Sequence, residues 1–248
     1  MVHLDKTTDT ILRGKITITQ MKHGYRYGFD AVCLAAFVNG YLRKNKKDLS
    51  LADVGSGVGT ISLILALKNK NLKISSIENN EEFIEIAKEN VLKNKFHNTI
   101  KTVNYDIFNI NKNLKNHFDI VVSNPPFNNK NSNKSNNKFI DVAKRIVDLE
   151  KWMEGCVYLL KRKGTLCIIL PTNILDVVLA GLRYKAGSFK IYPIWPNTKK
   201  SSKRIILLAK KGGIGPTELL PGLKLYNRKG VESKKASLLS EEGILNFY

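Results

Sequence analysis

From residue 49 onward, short continuous apolar runs alternate with longer stretches whose apolar positions recur at helical spacing. LSLADVG (49–55), KISSIE (73–78), IKTVNYD (100–106), FDIVVSN (118–124) and GTLCIILP (164–171) read as strands. TISLILALK (60–68), EEFIEIAKENVLKN (81–94), FIDVAKRIVDLEKWMEGCVYLL (139–160) and TNILDVVLAGLRY (172–184) read as helices, the third as one helix or two. This βα order predicts an α/β protein: a mostly parallel sheet with helices on both faces. FKIYPIWP (189–196) and SSKRIILLAKK (201–211) follow one another with no helix between them. They bring the expected strands to seven and predict an antiparallel closing edge strand.

Upstream, KITIT (15–19) alternates like a half-buried strand, and AVCLAAFVNGYL (31–42) has helical spacing with Asp30 placed as its N-cap. Residues 1–48 are therefore expected to be an extension packed on a core of 49–212 within one domain, 1–248. The tail, 213–248, reads as loop-rich. NNKNSNKSNNK (128–138) has no apolar residue and is expected to be mobile.

Charge adds a partner. Forty-one Lys and Arg against 21 Asp and Glu leave a net charge of +20, with a pI near 9.8. Such an excess attracts polyanions, nucleic acid first, although a composition crowded with Lys and Asn also arises without any such partner. Cys33, Cys156 and Cys167 are isolated, and the four histidines have no ligand spacing. This points to reduced thiols, no metal site and a cytoplasmic setting. There is no apolar leader and no apolar run long enough to span a bilayer.

The chemistry lies at the ends of the strands. LADVGSGVGT carries Asp53, Gly55, Gly57 and Gly59, where glycines let the backbone turn sharply beside a ligand. Glu78 ends the next strand, placed to accept from ribose hydroxyls, and Asp106 ends the one after, placed to accept from an adenine amine. Open α/β sheets bind ligands outside the carboxyl ends of their strands, so these three ends predict an adenosine-containing cofactor.

The fourth end is Asn124-Pro125-Pro126-Phe127. The Asn124 side-chain carbonyl and the Pro125 backbone carbonyl are two acceptors on a stiff turn, matched to the two donors of a planar NH2 group. Phe127 offers a flat face for stacking. Accepting both hydrogens frees the nitrogen lone pair for attack. The arrangement suits methyl transfer to an exocyclic or amide nitrogen through orientation and electrostatics.

DVGSGVGT, Glu78, Asp106 and NPPF together resemble the class I methyltransferases dependent on S-adenosylmethionine, of the amino-methylating type. GKITITQMKHGYRYGFDAVCLAAFV, LEKWMEGCVYLLKRKGTLCIIL and SSKRIILLAKKGGIGPTELLPGLKLYNRKG are similar to the bacterial tRNA adenine-N6 methyltransferases that modify the adenosine next to the anticodon of a valine tRNA. The resemblance covers nearly the whole chain. It implies a Rossmann-like fold, S-adenosylmethionine as cofactor and tRNA as partner. It implies cofactor binding by Asp53, Gly55, Gly57, Gly59, Glu78, Asp106 and Asn124, and a catalytic turn of Asn124, Pro125, Pro126 and Phe127. Gly28, Phe29 and Asp30 would border the methionine end of the cofactor.

Phe127 departs from the tyrosine most members carry, and methyltransferases acting on guanine N2 of ribosomal RNA often carry NPPF. That enzyme class, a protein glutamine-N5 methyltransferase, a non-catalytic RNA-binding subunit and a nicotinamide oxidoreductase are the alternatives. The charge favours RNA over protein, and the oxidoreductase leaves NPPF unexplained. Lys130, Lys134 and Lys138 after the turn, with Lys199, Lys200, Lys203 and Arg204 between the closing strands, are the candidate RNA contacts.

Overall fold

The computed structural model describes residues 5–23, 26–43, 48–109, 112–126, 138–227 and 229–245. In chain order the elements are β1 (Lys6–Ile11), β2 (Ile16–Met21), α1 (Phe29–Leu42), β3 (Leu49–Val54), α2 (Thr60–Lys68), β4 (Leu72–Glu78), α3 (Glu81–Lys93), β5 (Ile100–Asn104), β6 (Phe118–Ser123), α4 (Lys138–Leu159), β7 (Leu160–Pro171), α5 (Leu175–Leu182), β8 (Ala186–Trp195), β9 (Arg204–Lys211), β10 (Glu218–Leu219), β11 (Leu223–Lys224) and α6 (Lys234–Glu242).

The main sheet runs β10-β8-β9-β7-β6-β3-β4-β5, with β11 also on β8. β3 to β7 pair in parallel, and β9 is antiparallel to both β7 and β8. The expected mostly parallel sheet with an antiparallel closing pair is present, with β9 inserted between β7 and β8. Because β9 alone is reversed among the long strands, β3 to β8 all end at the same edge. Two apolar clusters fill the two faces. One is built with α1, α2 and α3, and the other with α4 and α5. Among the described residues no helix is long and apolar enough to cross a membrane.

The extension is a β1–β2 hairpin laid against α3. Its outer edge is covered by two asparagines one helical turn apart. Asn90 Oδ1 accepts from Thr19 N at 2.6 Å and its Nδ2 donates to Thr19 O at 2.8 Å. Asn94 does the same for Thr17, at 2.9 and 2.6 Å. Amide side chains thereby complete a strand ladder that would otherwise be open. Asn90 Nδ2 also donates to Val58 O at 3.0 Å, tying the hairpin to the glycine turn.

Two sequence expectations change. Asp30 does not cap α1: Gly28 occupies the N-cap position, with no side-chain hydrogen bond there. The Asp30 carboxylate instead accepts from Arg204 Nε at 2.7 Å. The tail is also more ordered than its composition implied. α6 is capped by Ser233, whose Oγ accepts from Ala236 N, and it packs on α1, with Asn39 Nδ2 donating to Gly243 O at 2.7 Å.

Candidate active site

Strand register brings the candidate residues to one level. Val54 is opposite Ile77 on β4 and Ser123 on β6. The next residue on each strand is therefore Gly55, Glu78 and Asn124, and Glu78 is opposite Asn104 on β5. The ends of β6 and β4 are two strand spacings apart, roughly 10 Å. That leaves a crevice across β3, where the chain departs in opposite directions on either side.

The glycine turn is built from backbone conformations that side chains rarely adopt. Gly55, Gly57 and Gly59 have φ of 69°, 54° and 87°. The amides of Gly55 and Ser56 both donate to Ile77 O, at 2.9 and 3.0 Å. At Gly55 a Cβ would come within 2.9 Å of the Trp152 ring, so two separate constraints demand glycine there.

Glu78 organises this turn. Its Oε2 accepts from Gly57 N at 2.9 Å, and its Oε1 accepts from Asn79 N and Asn80 N at 2.9 and 3.0 Å. Three backbone donors use most, though not all, of a carboxylate's acceptor sites. The acid thus fixes the loop and keeps acceptor capacity toward the crevice.

Asp53 is fully buried at the end of β3. Its Oδ2 accepts from Ser62 N at 3.1 Å and Ser62 Oγ at 2.7 Å. Burial pushes its pKa up to about 7, against the pull of the Ser62 hydrogen bonds and with a smaller contribution from the charge of Glu78. Asp53 Oδ1 and Ser56 Oγ are buried with no hydrogen-bond partner among the described residues. Orphaned acceptors beside a backbone cradle of glycines fit a ligand that brings its own N–H or O–H donors.

Asp106 lies two residues beyond β5, not in the strand. Its Oδ1 accepts from Phe108 N at 2.9 Å and caps a single 3₁₀ turn, Ile107–Asn109. The side chain is half-buried and held by the turn. Asn124 is half-buried, Pro125 buried and Pro126 exposed. Phe127, Lys130, Lys134 and most of 128–138 lie outside the described residues, and Lys138 opens α4.

Trp152, not among the candidate residues above, is part of the site's support. Its Nε1 donates to Ser123 Oγ at 3.0 Å, and Ser123 Oγ donates in turn to Val54 O at 2.9 Å. Phe108 meets the Trp152 ring edge-on at 5.9 Å between centroids. Gly155, one turn on, lets α4 approach the 3₁₀ turn: a Cβ there would sit 2.8 Å from Ile107 O.

The rim carries the candidate RNA contacts. Lys199, Lys200 and Lys203 are exposed, and none makes an ion pair among the described residues. Arg204 differs, being held by Asp30. Pro171, at the carboxyl end of β7, is opposite Arg204, so the Asp30–Arg204 pair stands on the same edge as the crevice and brings the start of α1 to it.

Comparison with known proteins follows this geometry. A family model described as methyltransferase small domain matches residues 36–172. A tRNA1(Val) (adenine(37)-N6)-methyltransferase of Flavobacterium psychrophilum is 26% identical over 182 residues, covering 73% of this chain and 74% of that protein. An enzyme with the same name from Bacteroides thetaiotaomicron is 28% identical over 203 residues, covering 80% and 77%. Among solved structures, a predicted O-methyltransferase from Agrobacterium tumefaciens superposes with a TM-score of 0.73 at 19% identity, covering 88% of this chain and 98% of that one.

Proposed function

Because the chain belongs to the methyltransferase small domain family, we propose that it transfers a methyl group from S-adenosylmethionine to the exocyclic N6 of an adenosine in tRNA, beside the anticodon. The observation that carries this reading is the register that sets Asn124 level with Gly55 and Glu78. The acceptor turn and the cofactor cradle then face one crevice.

The residues present fit S-adenosylmethionine. The glycine turn gives close backbone approach, Glu78 keeps acceptor capacity for the ribose hydroxyls, and Asp106, whose Oδ1 caps the 3₁₀ turn, would offer its carboxylate to the adenine amine. Asp53 and Ser56 offer buried acceptors without partners. When bound, the cofactor supplies a methyl group on a positively charged sulfur.

This chain's own part in the reaction is orientation. Asn124 Oδ1 and Pro125 O accept the two amine hydrogens and turn the nitrogen lone pair toward the methyl group. Phe127 would offer its ring for the base to stack on. The methylated nitrogen sheds its proton readily, so no side chain must act as a strong base. A base reaches Asn124 only when it leaves its stack, which is easiest in a single-stranded loop. Lys130, Lys134, Lys138, Lys199, Lys200 and Lys203 would hold phosphates around that loop. Arg204, already paired with Asp30, would position the rim.

The adenine reading rests on the similarity to the two tRNA enzymes over most of their length. Purified protein incubated with S-adenosylmethionine and unmodified tRNA tests it, by mass spectrometry of the digested nucleosides. N6-methyladenosine in tRNA is the expected product. Label found only as N2-methylguanosine, or only in a glutamine-bearing protein acceptor, would replace it.

A further inference from the structure

We propose that the C-terminal hairpin formed by 225–227 and 229–233 is a second RNA-contact element, in which the Tyr226 ring stacks on an unpaired base a few nucleotides from the target and Lys229, with Lys199, Lys200 and Lys203, holds the phosphates between. This rests on the RNA-methylating reading above.

The hairpin is placed by β8. β11 pairs in parallel with β8 at Ile194 and Trp195, and the chain continues beyond the strand end. Leu225 N donates to Trp195 O at 2.9 Å and Tyr226 N to Pro196 O at 3.0 Å. Close approach is made possible at Gly222, where φ is +81° and a Cβ would lie only 2.2 Å from Pro193 O. Tyr226 therefore stands at the carboxyl end of β8, on the edge that carries the crevice. Tyr226 lies one strand spacing outside β8 and so four spacings from β6, roughly 19 Å. A few nucleotides of single strand bridge that distance.

The hairpin is rigid where it matters. Ser233 N donates to Leu225 O at 2.8 Å and Asn227 N to Val231 O at 2.8 Å. Asn227 Oδ1 accepts from Lys229 N and Val231 N, at 2.9 and 3.1 Å, closing the turn. Tyr226 is held by its backbone from both sides, yet the residue is 46% exposed. A large aromatic fixed in position and left in water is preorganised for stacking, and base stacking on such a ring tolerates any base.

The neighbouring loop supplies charge. Asn197 Oδ1 accepts from Lys199 N and Lys200 N, at 2.9 and 3.1 Å, so both lysines project from a braced turn next to Pro196. Lys199, Lys200, Lys203 and Lys229 are exposed and make no ion pair among the described residues. Elsewhere on the surface many cations are matched, as in Lys161–Asp119, Lys185–Glu154 and Lys190–Glu218. Glu232, opposite Tyr226 in the ladder, is the acid of the hairpin. An exposed aromatic flanked by unmatched cations fits a single-stranded polyanion with planar bases better than a protein surface.

Stacking and phosphate contacts leave different signatures, so the full-length chain and a fluorescent anticodon stem-loop RNA test the proposal by anisotropy across a salt series. Tyr226→Ala should weaken binding roughly tenfold with the salt slope unchanged. Tyr226→Trp and Tyr226→Phe should bind close to the parent chain. The Lys199→Ala/Lys200→Ala/Lys229→Ala variant should reduce the log–log salt slope by about 2, at roughly 0.7 per single-strand contact. Unchanged affinity in Tyr226→Ala, in a parent chain that does bind and methylate RNA, overturns the hairpin's role. Equal loss in Tyr226→Ala and Tyr226→Phe overturns stacking. A parent chain that neither binds nor methylates RNA fails at the earlier step and removes both readings.

Discussion

Trp152 Nε1 donates to Ser123 Oγ at 3.0 Å, and the same indole ring lies where a Cβ on Gly55 would have to go. One side chain from α4 thus touches the ends of both β3 and β6, immediately behind the residues proposed to hold the cofactor and the target amine. Positions that depend on each other in this way are sensitive to small shifts, because a misplaced acceptor loses much of its catalytic value.

Trp152→Phe tests that support. The substitution removes the hydrogen bond to Ser123 and part of the ring behind Gly55. Stability is expected to fall by about 1–2 kcal/mol, read by urea denaturation. Methyl transfer is expected to slow several-fold, with cofactor affinity changed less than the turnover. Unchanged turnover would make Trp152 a packing residue only.

Glu78→Gln tests the proposed ribose contact of this acid at the cost of one part of its loop-fixing role. An amide oxygen can still accept from the Gly57, Asn79 or Asn80 amides, while its NH2 end cannot accept at all. Cofactor affinity measured by calorimetry is expected to drop about tenfold or more, near 1.4 kcal/mol. The melting temperature should fall by about 2–4 °C, because at least one of the three loop amides loses its acceptor. Affinity equal to that of the parent chain would remove Glu78 from the cofactor site.

Asp53 gives a pH test with a defined sign. Its folded pKa is raised from 3.8 to about 7 by burial. Between those values the unfolded chain has released the proton while the folded chain still holds it. Stability therefore falls as pH rises from about 4 to about 7, and this contribution is level above that. Asp53→Asn keeps an acceptor for Ser62 and cannot ionise. Its unfolding free energy, compared with the parent chain's at matched pH, should show a smaller decline across the same window. Parallel curves for the two proteins would mean that Asp53 titrates normally.

Asp30 and Arg204 are 2.7 Å apart and both partly exposed, so their mutual stabilisation is modest, about 0.5 kcal/mol in a double-mutant cycle. Their larger effect is expected on catalysis, because they join the start of α1 to the end of β7 at the crevice. Arg204→Ala should lower turnover while leaving the salt dependence of RNA binding intact. A reduced salt slope would return Arg204 to the phosphate contacts with the lysines.

Much of this fold was legible because its core strands are buried on both sides. Runs such as Ile120-Val121-Val122 and Cys167-Ile168-Ile169 leave little alternative in a βα alternation. The positions of Gly55, Glu78 and Asn124 were legible for the same reason, since they follow from where each run stops, whereas Asp106 falls two residues beyond β5. What escaped was carried by contacts distant in sequence. β1 has one buried apolar residue in six, and its partner strand is docked through Asn90 and Asn94, whose amide chemistry is silent about where it will be used. Asp30 had the composition of an N-cap, but an arginine 174 residues away took its carboxylate. α6 did carry local signals, Ser233 before it and Gly243 after it, within a stretch whose prolines and glycines favoured a loop reading. Trp152 showed only helical spacing, and nothing local links it to Gly55.

Asn124 carries the central claim, that an acceptor at the end of β6 orients an amine for methyl transfer. The direct measurement is single-turnover methyl transfer to tRNA by Asn124→Ala, with cofactor affinity determined on the same preparation. The account predicts a rate loss of at least about a hundredfold, near 3 kcal/mol of transition-state stabilisation, with cofactor affinity changed only a few-fold. A variant that methylates tRNA at nearly the parent rate would contradict it.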